Sequence, residues 1–124
     1  MKDKRPVNLD LTQFSFPLPA LTSIVHRVTG LALFAAVAIL MYFFELSLSS
    51  EEGFNTAKEY LNGAFVKFII WGIVSALLYH LVAGIKHLLM DMGIGETLEG
   101  GVLGSKILIA ISLVLIFIAG VWIW

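Results

Sequence analysis

Two groups of polar residues interrupt stretches of the sequence that are otherwise apolar. The first group is Ser23–Gly30, in which Ser23, Arg27 and Gly30 fall at i, i+4 and i+7 and share one helix face. A hydroxyl and a guanidinium on one face can hold a carbonyl or carboxylate, and Gly30 leaves room for a ring or another helix. The alternative for Arg27 alone is contact with lipid phosphates. Ser23 and His26 beside it favour a binding site.

The second group places His80, Gly84, His87 and Asp91 at i, i+4, i+7 and i+11, which is one stripe of a helix. His80 lies about eight residues, or ~12 Å, from the nearer end of its apolar segment. A neutral imidazole at that depth needs a partner, and a haem iron is one candidate. Gly84 removes side-chain bulk where a flat macrocycle would lie. The alternatives are a His80 bonded to a neighbouring helix and an exposed His87 at the interface.

Three long uncharged runs must position these groups. They cover 17, 18 and 18 residues, over Val28–Phe44, Phe68–Ile85 and Ile107–Trp124. A membrane-spanning helix needs about 17–25 mostly apolar residues. The sequence therefore predicts an all-α integral membrane protein, part of a multi-subunit helix bundle. Its single membrane-anchor domain, 1–124, has spans near 22–45, 66–88 and 105–124.

Composition excludes several classes of protein. Of the 124 residues, 59% are hydrophobic and only 14% are charged, against about 25% in soluble domains. The net charge of −1 and the lack of a basic stripe exclude disorder and nucleic-acid binding. Cys is absent, so this chain alone holds no disulfide, thiolate metal site or iron–sulfur cluster. No catalytic triad or carboxylate pair is visible, and no catalytic residue is assigned.

The segments between the spans are predicted from turn and polar residues. Residues 1–21 are expected to form a cytoplasmic arm, with Pro17 and Pro19 breaking helix before the first span. Thr22 or Ser23 is the expected N-cap of that span. A polar first loop is expected over Leu46–Phe65, with a short helix at Glu52–Leu61. A glycine-rich second loop is expected over Leu89–Gly104.

Basic residues predict the orientation of the chain. Six Lys and Arg residues fall on one side of the spans: Lys2, Lys4, Arg5, Arg27, Lys86 and Lys106. Lys58 and Lys67 alone fall on the other side. Because cytoplasmic flanks carry the excess of positive charge, the N-terminus is predicted to be cytoplasmic and the C-terminus to lie on the far side.

Depth in the membrane links the two polar groups. His26, Arg27, Lys86 and His87 are expected near the cytoplasmic boundary, with His80 a turn or two deeper. A haem bound edge-on at His80 would direct its propionates to those cations, where Arg27 can form charge-assisted bonds. His26 and His87 are expected too near the surface to face His80 across one iron. If the haem is six-coordinate, its second ligand must therefore come from another chain.

Two patterns in these groups are specific together: S-x-x-H-R-x-[ST]-G and H-x-x-x-G-x-[KR]-H-x-x-x-D. They resemble the cytochrome b large anchor subunit of bacterial succinate dehydrogenase, respiratory complex II. The resemblance runs along nearly the whole chain. It is carried by Arg5–Leu11, Ser23–Gly30, Leu48–Phe54, Phe65–Gly72 and Tyr79–Asp91.

The resemblance implies a role for each matching residue. His80 matches the axial ligand of one haem b, shared with a second small anchor subunit that supplies the other His. Ser23 and Arg27 match the ubiquinone site. His26, Arg27 and His87 match the region of the haem propionates. Further candidates near that end are Lys86, where the family more often has Arg, and also Asp91 and Gly84.

The resemblance also implies partners and a mechanism. A flavoprotein subunit would oxidise succinate, and an iron–sulfur subunit would pass the electrons to ubiquinone at the anchor. The chain would lie in the bacterial inner membrane among membrane lipids, without catalysing a reaction alone. A first alternative is a haem-less or fumarate reductase-type quinone-binding anchor. A second is a transporter or proton channel that uses Arg27, His80 and Lys86, although the far halves of the spans offer almost no polar path.

Overall fold

A computed structural model describes residues 15–124 as four helices. Three of them, with 32, 28 and 26 residues, are long and apolar enough to cross a membrane. This part of the chain contains no strand, which confirms the all-helical membrane fold. Most of the predicted arm, residues 1–14, lies outside the described residues. The helices are α1 (Leu18–Ser49), α2 (Glu51–Asn62), α3 (Ala64–Asp91) and α4 (Leu98–Ile123).

The first span begins earlier than the sequence predicted. Pro17 is the N-cap of α1 and Pro19 lies in its first turn, so the expectation that both prolines precede the helix was wrong. Proline is tolerated there because the first N–H groups of a helix have no intrahelical acceptor. Thr22 and Ser23 are therefore not caps. The Thr22 hydroxyl instead donates to the Pro19 carbonyl at 3.0 Å.

The predicted first loop is almost entirely helical. The expected short helix is confirmed as α2, but α1 continues through the serine-rich segment to Ser49. Ser47 and Ser49 each donate to a carbonyl one turn earlier at 2.7 Å, so their hydroxyls are satisfied within the helix. Ser50 then accepts from the Gly53 N–H at 2.9 Å and caps α2. Only Ser50 and Gly63 separate the first three helices.

The second loop is also shorter than predicted, because three of its glycines belong to α4. The linker is confined to 92–97, where Gly93 and Gly95 have φ values of 85° and 69° that favour glycine. A Cβ at Gly101 would lie 3.5 Å from the Pro19 ring, and one at Gly104 would lie 3.2 Å from the Lys86 side chain. These two glycines allow helices to pack closely rather than ending a helix.

Helix α3 packs against both α1 and α4, while α2 covers the far ends of α1 and α3. The residues buried between the helices are mostly small, as is typical of membrane helix interfaces. Large apolar side chains point outward instead, including Phe34 and Trp122, which are 81% and 84% exposed. The buried set is Thr22, Ala36, Gly53, Ala57, Ala83, Gly101, Ser105, Leu108, Ser112 and Ala119.

Hydrogen bonds between spans connect both ends of the bundle. Near the start of α1, the Tyr79 hydroxyl donates to the Thr22 carbonyl at 2.6 Å. The Thr22 and Ser105 hydroxyls lie 3.2 Å apart and join α1 to α4. At the opposite end, Trp71 Nε1 donates to the Ile116 carbonyl at 2.9 Å and joins α3 to α4. These bonds fix how far each span is shifted along its neighbours.

We predict that Gly120→Ala weakens the α3–α4 contact. The added Cβ would lie 3.1 Å from Trp71 Nε1, so the indole must shift by a few tenths of an ångström, which disturbs its hydrogen bond to the Ile116 carbonyl. The expected loss is about 1 kcal/mol of unfolding free energy, the size of one interhelical hydrogen bond in a membrane. Thermal unfolding in detergent measures it. Gly72→Ala is the matched control, because a Cβ there meets nothing within 4 Å. Equal midpoints for both variants would contradict the prediction.

Candidate functional site

Three imidazoles cluster where α1 and α3 pack together. The His26 and His80 rings stack with centroids 4.0 Å apart and planes 14° from parallel. The His87 ring lies 5.1 Å from the His26 ring. Along the two helices, His80 lies next to Thr29 and Gly30, whereas His26 lies next to Gly84, so the two residues are offset by about one turn. Their side chains close this gap, and the rings stack.

The hydrogen bonds of the His80 ring determine its tautomer. His80 Nδ1 lies 3.1 Å from the His26 carbonyl oxygen and 3.0 Å from Thr29 Oγ1. A carbonyl oxygen can only accept, so the proton is on Nδ1. Both hydrogen bonds of this ring fall on Nδ1, which leaves Nε2 with its lone pair. An imidazole with its proton on Nδ1 can coordinate a metal through Nε2.

The imidazole cluster borders an open cavity of about 600 Å³. Ser23 and Arg27 from α1 share this cavity with His80 and Gly84 from α3, so the structure brings the two polar groups of the sequence together. Ser23 is half-buried and Arg27 is exposed. The full lining is Ser23, His26, Arg27, His80, Leu81, Gly84, Ile85, His87 and Leu88.

Two glycines shape the space around the rings. A Cβ at Gly30 would lie 3.1 Å from His80 Cε1, so the close approach expected at Gly30 is made by the His80 ring. A Cβ at Gly84 would lie 3.8 Å from His26 Nε2. The His26 ring therefore lies over Gly84, where a macrocycle was expected from the sequence.

Two of the further candidates lie elsewhere. Lys86 lines a separate cavity of about 250 Å³ between α3 and α4, where its side chain packs over Gly104. Asp91 is exposed at the last residue of α3. Neither residue lines the cavity that contains the histidines.

Sequence reasoning missed Thr29. It lies three residues after His26, so helical spacing could have placed both on neighbouring positions of one face. The Thr29 hydroxyl donates to the His26 carbonyl at 2.8 Å and also contacts His80. The second contact depends on how α1 and α3 are aligned, and no spacing within one helix reveals that alignment.

The donor set fits a metal that brings most of its own ligands. In residues 15–124, no three His, Asp or Glu side chains are arranged to bind a bare ion. A single imidazole Nε2 beside an open cavity suits an iron whose equatorial ligands come from a macrocycle. Arg27 on the same cavity supplies a charged donor for carboxylates or carbonyl oxygens.

Several known proteins are similar to this chain along most of its length. Residues 1–119 match the family described as the succinate dehydrogenase/fumarate reductase transmembrane subunit. The succinate dehydrogenase cytochrome b556 subunit of Coxiella burnetii is 41% identical over all of both chains. That of Paracoccus denitrificans is 35% identical over 92% of this chain and 88% of its own. The cytochrome b560 subunit of Porphyra purpurea is 32% identical over 91% and 93%.

The three findings point the same way: an all-helical fold with three candidate spans, a histidine-lined cavity between two of them, and relatives that match almost end to end. A multi-pass membrane protein of this kind is one subunit of a larger complex. The chain belongs to the succinate dehydrogenase/fumarate reductase transmembrane subunit family and, within it, to the cytochrome b subunits that anchor succinate dehydrogenase in the membrane.

Proposed function

We propose that this chain binds one haem b through His80 and forms part of the site where ubiquinone is reduced. Electrons from succinate reach that site through an iron–sulfur subunit. One observation supports the proposal most: the His80 ring makes its hydrogen bonds through Nδ1, so Nε2 has none, and His80 lines a cavity of about 600 Å³. Haem supplies a one-electron carrier at this position when bound.

The second axial ligand comes from a partner anchor subunit. His26 is the nearest imidazole to His80, but the two rings stack face to face, so their edges do not oppose each other across an iron. His87 is tilted against His26 rather than directed at His80. With the other two histidines of the chain in these positions, His80 would be the one iron ligand from this chain, and a second protein would supply any further ligand.

The haem propionates are held by Arg27, His26 and His87. All three line the same cavity as His80. A guanidinium forms two parallel hydrogen bonds with a carboxylate, and imidazole N–H groups add further donors. Gly84 also lines this cavity and, having no side chain, leaves space next to these residues. Lys86 and Asp91 lie outside it, so the propionate assignment depends on the other three residues.

Ser23 and Arg27 bind the ubiquinone head group. The Ser23 hydroxyl donates to one quinone oxygen, and Arg27 stabilises the negative charge that develops on reduction. Both residues stand on one face of α1, so a single ring can contact both. Apolar Leu81, Ile85 and Leu88 on the cavity wall suit the rest of the quinone. This chain forms no covalent bond with its substrate.

The full complex contains a flavoprotein subunit, an iron–sulfur subunit and a second small anchor subunit. The outward apolar side chains of α1, α3 and α4 support contacts with partner helices and membrane lipid. The chain lies in the bacterial inner membrane as one anchor domain, with its N-terminus in the cytoplasm. Arg27, Lys86 and Lys106 lie toward the end of the bundle where the linker joins α3 to α4, and their positive charges support this orientation.

The alternative is a haem-less or fumarate reductase-type anchor that binds quinone only. The description of the matching family includes fumarate reductase, which is the observation in its favour. In this case the His80 hydrogen bonds would serve helix packing alone. A redox difference spectrum distinguishes the two functions.

We predict that His80→Ala abolishes the low-spin b-type band. A dithionite-reduced minus oxidised spectrum of the purified complex should show the band in the wild type and its loss, or a shift to high spin, in the variant, because the iron loses an axial ligand. Tyr79→Phe is the control, since it removes an α1–α3 hydrogen bond without removing an imidazole. A wild-type complex without the band would support the haem-less anchor.

We predict that Ser23→Ala slows ubiquinone reduction about tenfold, the effect of one lost hydrogen bond. Succinate oxidation with a soluble dye that accepts electrons before the quinone should stay unchanged. Ser47→Ala is the matched control, because its hydroxyl bonds within α1 at the opposite end. An equal loss in both assays would mean that the variant damages assembly and not the quinone site.

We predict the orientation of the chain from single-cysteine labelling. The sequence contains no Cys, so one introduced thiol reports its own location. A membrane-impermeant maleimide should label Asn55→Cys in α2 on intact spheroplasts, and Glu96→Cys in the α3–α4 linker only in inverted vesicles. The reverse labelling pattern would place the N-terminus outside the cytoplasm.

A further inference from the structure

The orientation of the His80 ring is set by α1, the helix opposite its own. Four contacts act on three parts of the ring: two acceptors lie at Nδ1, Gly30 lies near Cε1, and the His26 ring covers one face. We infer that Thr29 is a positioning residue for the iron ligand, fixing both the proton and the rotation of the His80 ring. This inference rests on the proposed binding of haem by His80.

The hydrogen bonds assign a definite role to the Thr29 hydroxyl. Its proton goes to the His26 carbonyl at 2.8 Å, so its lone pairs remain for His80 Nδ1–H at 3.0 Å. The His26 carbonyl is the other acceptor for Nδ1–H, and as a carbonyl inside a helix it also accepts a backbone N–H. The Thr29 hydroxyl is therefore the less occupied of the two acceptors. Because it bonds to both the His26 carbonyl oxygen and His80 Nδ1, it holds the ring against α1.

The remaining contacts prevent the ring from rotating about its own bond to the chain. A Cβ at Gly30 would lie only 3.1 Å from Cε1, so a side chain there would require the ring to shift by a few tenths of an ångström. The stacked His26 ring limits movement to the other side. The direction of the Nε2 lone pair is thus fixed by α1 before any ligand arrives.

The alternative is that the hydroxyl only stabilises its own helix. Threonines in membrane helices often donate to a carbonyl one turn earlier. Thr22 does this, bonding to the Pro19 carbonyl at 3.0 Å, and its second contact is the Ser105 hydroxyl rather than a histidine. Thr29 differs because its second contact is the ring that ligates iron. Thr22 is therefore the matched control for hydroxyl loss from α1.

The experiment uses the purified complex with Thr29→Val, Thr29→Ser and Thr22→Val. Valine keeps the shape of threonine and removes the acceptor, whereas serine keeps it. Two measurements are made: the low-spin ferric EPR spectrum, which depends on imidazole orientation, and the rate of haem transfer to apomyoglobin. Outer partners of a ligating histidine are typically worth about 10- to 100-fold in affinity. We expect a shifted EPR signal and haem loss about 10- to 100-fold faster only in Thr29→Val.

The outcomes separate this inference from the proposed function. A wild-type complex without haem would overturn both. A haem-bearing wild type with an unchanged Thr29→Val, or an equal effect in Thr22→Val, would overturn the role of Thr29 alone. Gly30→Ala is the second variant, for use if Thr29→Val fails to assemble. Its added methyl would lie 3.1 Å from Cε1 and 3.7 Å from Nδ1, so the ring must shift relative to the Thr29 hydroxyl. An unshifted EPR signal in that variant would show that the Nδ1–Thr29 contact does not set the ligand orientation, which would overturn the inference.

Discussion

The structure depends on one constraint of the bilayer: a polar group inside a span has no water to bind and must find its partner in protein. In this chain the partners are often backbone carbonyls of another span. Tyr79 reaches the Thr22 carbonyl, Trp71 the Ile116 carbonyl and His80 the carbonyl of His26. Hydrogen bonds from the Tyr79 and Trp71 side chains to backbone carbonyls thereby align the spans. A hydrogen bond of the same kind orients the His80 imidazole, on which the proposed chemistry depends.

Hydropathy was sufficient to predict the fold class and the three spans, because long uncharged apolar runs are typical of membrane spans and rare in soluble domains. A short helix in the polar segment between the first two spans was also predicted. The ends of the helices were not predictable in the same way. Pro19, Ser49 and Gly104 belong to residue types that end helices in water, yet all three lie within helices here. Pro19 is tolerated in the first turn of α1, the Ser49 hydroxyl bonds within its own helix, and Gly104 packs against the Lys86 side chain. Composition alone does not reveal these contacts.

Helical spacing within each span predicted which residues share a face, and the structure brings both groups to one cavity. What spacing cannot predict is the shift of one helix along another. The stacking of His26 on His80, the contact of Thr29 and the position of Lys86 in a different cavity all follow from that shift. The register of the spans comes from bonds between distant parts of the sequence, so those features required the three-dimensional structure.

The cavity lies at the end of the bundle where α1 begins and α3 ends, and this position has an energetic consequence. In the opposite halves of the described spans, the buried surface offers isolated groups such as Ser112 and no continuous polar route. A quinone reduced in the cavity would therefore take its electrons and its protons from one side of the membrane. Under the proposed function, no net charge would then pass through the spans of this chain, and membrane voltage would neither drive nor oppose its part of the reaction. The free energy released would stay in the mobile reduced quinone for later enzymes to use.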